Sequence, residues 1–189
     1  DSILIDNADI TFDTDAENGE HNIEAKNIEI SNSHLYNVGN ICPDEYWTDF
    51  ENDAYTGSVI SIIDSDLNFD PKVESREGSS PVLGNAESIK IENSKISGVE
   101  ITSDHACIGG FFNELIISDS EVYAKGENAP AIGPSKKALE YIDNFDISIS
   151  GSEVEAVSKY GAGIGFPYLN SSSGNEPSNV PELKITISG

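Results

Sequence analysis

The stretch Asp146–Gly165 reads D-I-S-I-S-G-S-E-V-E-A-V-S-K-Y-G-A-G-I-G, and its plan recurs along the whole chain. Ile147 and Ile149 alternate with polar residues, Gly151 and Ser152 follow, and a second alternating run comes at Val154 and Ala156. Apolar runs this short, with period two, predict strands rather than helix. Aligned on the serine, the copies carry Ala8, Ser33, Ser65, Ser94, Ser120 and Ser152 in one column. Five and three residues earlier stand Ile3/Ile5, Ile28/Ile30, Ile60/Ile62, Ile89/Ile91, Leu115/Ile117 and Ile147/Ile149, and Leu183–Ile187 begins a seventh copy. Two residues after the column stand Ile10, Leu35, Leu67, Ile96, Val122 and Val154. The residue just before it is Asn7, Asn32, Asp64, Asn93, Asp119 or Gly151. Only types that tolerate a left-handed backbone occur there, so this column predicts a sharp bend between two short strands.

A third run follows in the later copies, at Pro81–Gly84, Ala106–Gly109, Pro130–Gly133 and Ala162–Gly165. From serine to serine the copies measure 25, 32, 29, 26 and 32 residues. A constant core with insertions of varying length marks a solenoid whose loops leave from its corners. Three short strands per copy and no crossover helix predict an all-β, right-handed parallel β-helix of about six coils of three short strands, about 29 Å tall. The isoleucines should face inward and stack coil on coil. The serines should line the bend as a ladder of corner hydroxyls rather than act as nucleophiles. Residues 1–189 read as one domain. The sequence opens inside a strand at Ile3 and stops inside another at Ile187, with no polar cap at either end, so a segment of a longer protein is expected.

Charge narrows the partners. Ten basic residues against thirty-four acidic ones give a formal charge of −24. Such a field repels nucleic acid and anionic membrane surfaces, and no basic stripe counters it. No run of apolar residues is long enough to span a membrane, and no secretory signal opens the chain. Cys42 and Cys107 are the only cysteines and form no C-x-x-C pair. They fall two coils apart, about 10 Å, which predicts two idle thiols rather than a disulfide.

Two loops carry candidate sites. Counting Asp13 as one, acids stand at positions one, three, five and twelve of the first loop: Asp13, Asp15, Glu17 and Glu24. That spacing is similar to the ligand spacing of an EF-hand calcium loop, which makes these four the candidate Ca2+ ligands; a solvated acidic turn is the other reading. The second loop, 40–57, sets Tyr46, Trp47, Phe50 and Tyr55 among carboxylates. Rings beside carboxylates suit the apolar faces and hydroxyls of a sugar, or a protein surface, and these four are the candidate ligand-binding residues. The other reading is a loop that buries its own rings as a satellite core. Phe166 and Tyr168 form a weaker aromatic patch. Ser135 with Ala138, Leu139 and Ile142 predicts a two-turn helix on the side of the prism. The exposed column after the serines reads Asp9, His34, Asp66, Lys95, Glu121 and Glu153, where Glu121 and Glu153 should repel and Lys95 should offset it.

Catalytic constellations are sparse. The single arginine and few lysines fit a lyase site poorly, and no phosphate loop, H-E-x-x-H or G-x-S-x-G occurs. A hydrolase needs paired carboxylates with tuned pKa values, and thirty-four acids offer pairs without singling one out. Asp104 and His105 form the one acid–base pair beside a glycine motif. The outward column Leu4, Glu29, Ser61, Lys90, Ile116, Ser148 and Thr186 is too mixed for an ice-binding threonine array. Tyr160–Gly165, with Ala106–Gly110 and Pro130–Gly133, resembles the G-A-G-I-G-G repeats of large secreted surface proteins from Gram-positive bacteria. The resemblance covers about Glu87–Gly165 well, and the first three coils only through their isoleucine pairs and serines. It implies an extracellular, surface-attached module for presentation and adhesion towards a glycan or another surface protein, with no catalytic residues to carry over. A polysaccharide lyase or glycoside hydrolase on the same scaffold is the alternative.

Overall fold

The computed structural model describes residues 1–13, 22–43, 55–70, 81–101, 105–167 and 181–189. Three parallel sheets wrap one core. The first face stacks β1 (Ser2–Asp6), β4 (Asn27–Ser31), β7 (Val59–Ile63), β10 (Ser88–Glu92), β13 (Glu114–Ser118), β16 (Asn144–Ser150) and β18 (Glu182–Ser188). The second stacks β2 (Asp9–Thr11), β5 (His34–Val38), β8 (Asp66–Phe69), β11 (Lys95–Ile101), β14 (Glu121–Gly126) and β17 (Glu153–Ser158). The third stacks β3 (Ile23–Glu24), β6 (Ile41–Cys42), β9 (Leu83–Gly84), β12 (Ile108–Gly110) and β15 (Ile132–Pro134). The chain is therefore a parallel β-solenoid.

The coil count departs from the expected six of three strands. Among the described residues five coils carry all three strands. The sixth holds β16, β17 and a single bridge from Ile164 to Ile132, and β18 stands alone above it. The helix on the prism's side is also shorter than expected, one 3-10 turn over Lys137–Glu140. Tyr141, at φ −122° and ψ −22°, leaves helical geometry and closes it after one turn. Ala138, Leu139 and Ile142 are buried as the pattern required.

The isoleucine columns hold strict register. Ile3, Ile28, Ile60, Ile89, Leu115 and Ile147 face one another in successive coils, as do Ile5, Ile30, Ile62, Ile91, Ile117 and Ile149. From Ile28 and Ile30 upward both columns are buried, so each coil covers its neighbour's apolar face. All six residues of the predicted bend are left-handed, with φ between 46° and 58°.

The serines behind the bend form a continuous ladder. Each hydroxyl donates to the carbonyl two residues back in its own coil: Ser33 to Ser31 at 2.6 Å, Ser65 to Ile63 at 2.7 Å, Ser94 to Glu92 at 2.7 Å and Ser120 to Ser118 at 2.6 Å. Each also accepts the N–H of its counterpart in the coil before, from Ala8 at 3.0 Å through Ser33, Ser65 and Ser94 to Ser120 at 3.0 Å. A bend cannot continue the strand's hydrogen bonding, and the hydroxyl satisfies the donor left over. Replacing Ser94 by alanine strands the buried Ser65 N–H and should cost about 1–3 kcal/mol, read as a lower denaturant midpoint. An unchanged midpoint would show that the ladder contributes nothing.

Candidate functional site

The third corner, where the chain passes from the third face to the first, collects the aromatic side chains. Tyr55, Phe111 and Tyr141 stand three or four residues ahead of β7, β13 and β16. Their rings meet in succession, Tyr55 to Phe111 at 6.0 Å between centroids and Phe111 to Tyr141 at 6.2 Å, both tilted. Phe111 is buried, Tyr55 half-buried and Tyr141 45% exposed. Beneath them a second set runs inside the core, Phe112 to Phe145 at 5.3 Å and Phe145 to Phe166 at 6.4 Å, both edge-on. Edge-on and tilted pairs of this kind add to the burial that holds the corner.

Of the four candidate ligand-binding residues, Tyr55 lies among these rings, while Tyr46, Trp47 and Phe50 lie outside the described residues. Tyr55 is tied down at the base of its loop. The Ser58 N–H donates to the Tyr55 carbonyl at 3.0 Å, and the Ser58 hydroxyl donates to the same oxygen. The Ser58 oxygen accepts the Glu87 N–H at 3.1 Å, and the Glu87 carboxylate accepts the Gly57 N–H. Phe111 and Tyr141 were not singled out from sequence. Their only common signal is an aromatic ring a few residues ahead of a first-face strand.

Of the candidate calcium ligands, Asp13 follows β2 and is exposed, and Glu24 lies on β3 with its carboxylate accepting from Asn22 Nδ2 at 2.7 Å. Asp15 and Glu17 lie outside the described residues. Among the described residues no three His, Cys, Asp or Glu side chains are grouped as metal ligands. Asp104 also lies outside them, whereas His105 is half-buried beside the third face.

The charged column is in register as expected, Asp9–His34–Asp66–Lys95–Glu121–Glu153. Lys95 Nζ reaches Glu121 Oε1 at 2.9 Å. The hydrogen bond and charge of Glu121, with Asp66 and Glu153 beyond it, push the Lys95 pKa up. A shallow depression of about 320 Å³ follows this first corner, lined by His34, Asp64, Asp66, Asn93, Lys95 and Glu121 among others and by no Phe, Tyr or Trp. Three more lysines pair with acids one coil away: Lys125 with Glu100 at 3.1 Å, Lys159 with Glu127 at 2.7 Å and Lys184 with Asp146 at 2.7 Å. These are exposed pairs and are individually weak.

Cys42 and Cys107 are both buried thiols, joined by no disulfide. Burial pushes the Cys107 thiol from 9.0 up to about 12. A thiol kept neutral by the fold should resist alkylation at pH 8 until the chain unfolds. Because the folded pKa is the higher one, this stabilisation is complete below pH 9 and is lost as pH rises towards 12. The lysines titrate in the same window, so Cys107→Ala isolates the thiol. The variant should lose stability less steeply than the parent across that alkaline range, and identical slopes would contradict the assignment.

No helix among the described residues is long and apolar enough to cross a membrane. Comparison with known proteins finds no matching family model, curated protein or solved structure, so the fold and the third corner stand on their own geometry.

Proposed function

We propose that this chain is a non-catalytic, extracellular β-helix module for surface presentation and adhesion, and that it binds a glycan through the aromatic loop and the corner from which that loop leaves. The observation that carries this reading is the cluster of Tyr55, Phe111 and Tyr141 at the foot of the loop bearing Tyr46, Trp47 and Phe50. A stack of coils with its backbone bonds satisfied is a rigid support, and rigid aromatic rings at its corner lose little freedom on binding. Calcium at Asp13, Asp15, Glu17 and Glu24 belongs to the same reading as a structural ion for the first loop. The purified chain should therefore retain a specific member of a broad polysaccharide and host-glycan panel with calcium present, and Trp47→Ala should abolish that binding. A blank across the panel would leave a spacer or a protein-binding coil stack as the better account.

A further inference from the structure

We propose that Asn85 is the positioning residue of the third-corner site. Its side-chain oxygen sets where Phe111 stands, and through Phe111 where the rings of Tyr55 and Tyr141 stand. The inference rests on the glycan reading above and adds to it the residue that holds the rings in place. Ile23, Ile41, Leu83, Ile108 and Ile132 pair in one column of the third face. Two residues beyond them stand Ala25, Pro43, Asn85, Gly110 and Pro134. Of these five only Asn85 carries a hydrogen-bonding side chain. The serine of the first corner recurs in coil after coil and serves the stack. The asparagine of the third corner occurs once, so a need common to all coils does not explain it.

Its use is local. One coil up, the Ser135 N–H donates to the backbone carbonyl of Gly110 at 3.1 Å. The equivalent N–H one coil earlier, that of Phe111, donates to Asn85 Oδ1 at 3.1 Å. A side chain thus takes the place of a backbone rung under the one residue whose ring touches both tyrosines, Tyr55 at 6.0 Å and Tyr141 at 6.2 Å. The rest of Asn85 holds that oxygen still. The residue is 1% exposed, its backbone is left-handed at φ +60°, and its N–H donates to the Gly109 carbonyl at 2.8 Å. Gly110 leaves the space free, because a Cβ there would lie 2.3 Å from Asn85 Oδ1. Asn85 Nδ2 has no partner, and an unpaired buried donor is costly. The oxygen is therefore the part of the carboxamide that the fold uses. Rings fixed before a ligand arrives lose less freedom when it binds.

The test uses the whole chain, with ring contacts read by NMR and binding by calorimetric titration with soluble glucan, mannan, galactan and polygalacturonate. Asn85→Gly keeps the left-handed backbone and removes the oxygen. It should erase the nuclear Overhauser contacts of the Phe111 ring with Tyr55 and Tyr141, and weaken the parent's tightest polymer by about fivefold or more. Asn85→Asp keeps the acceptor and should restore both. Ser94→Ala, which loses a rung at the first corner, should lower the unfolding midpoint and leave ring contacts and affinity unchanged. That control separates lost stability from lost positioning. An Asn85→Gly chain that unfolds earlier yet keeps its ring contacts and affinity would make Asn85 a structural residue only, and overturn this inference while the proposed function stands. A folded Asn85→Asp chain that restores neither would overturn it as well. A parent that binds none of the polymers overturns the proposed function, and this inference with it.

Discussion

Gly109→Ala should cost about 4 kcal/mol of folding stability. Gly109 sits at φ +118°, where an L side chain is strained. The space is also taken. A Cβ there would lie 2.4 Å from the Gly133 carbonyl oxygen of the next coil and 2.9 Å from Phe112 Cε1. Neither neighbour can yield easily. The Gly109 carbonyl itself accepts the Asn85 N–H at 2.8 Å, so moving this strand breaks the ladder on the other side. Gly57→Ala is the control. It too has positive φ, at +72°, but the nearest atoms are the flexible Lys26 side chain at 3.7 Å and beyond. It should cost only the backbone strain, about 1 kcal/mol. Chemical denaturation of both variants decides the matter, and equal losses would mean that the third-face strands do not stack this closely.

Ile91→Ala should cost about 3.5 kcal/mol. Ile91 is fully buried and lies between Ile62 below and Ile117 above. Three isoleucines in a column leave a cavity that neither neighbour can fill without abandoning its own register. Leu4→Ala removes as much side chain from the same face, but Leu4 points outward and is 67% exposed, so less than about 0.5 kcal/mol is expected. The loss should show as a shifted midpoint at constant slope. Similar losses at the two positions would contradict the inward and outward assignment of the first face.

The parts of the fold legible in the sequence were those that repeat. Asn7, Asn32, Asp64, Asn93, Asp119 and Gly151 announce a left-handed bend because few residue types accept one. The isoleucine pairs announce an inward face because period two has only two faces to offer. The parts that escaped were set by packing between copies. Phe112 and Phe145 meet across the corner although 33 positions apart, and nothing local in either segment marks the pairing. The same holds for the ring contacts among Tyr55, Phe111 and Tyr141. In the first-face register they stand four, three and five residues before the level of Val59, Glu114 and Asp146, so no single column of the repeat holds them. Two-turn helicity after Ser135 failed for a related reason. Its apolar spacing was sound, but the backbone leaves helical geometry at Tyr141, which the spacing does not mark.

The serine ladder has a mechanical consequence. Its rungs, like the strand bonds beside them, point along the stacking axis, from one coil to the next. Tension applied between the two ends of the prism therefore loads these bonds in series, one junction at a time, rather than in shear across many. The weakest junction opens first, and its coil unwinds before the next is strained. With 25 to 32 residues between successive rungs, each opening would lengthen the molecule by about 85 to 110 Å. Anchored at one end and pulled at the other, such a chain would yield in discrete steps and absorb a jolt that a two-state domain of the same size would meet in a single rupture.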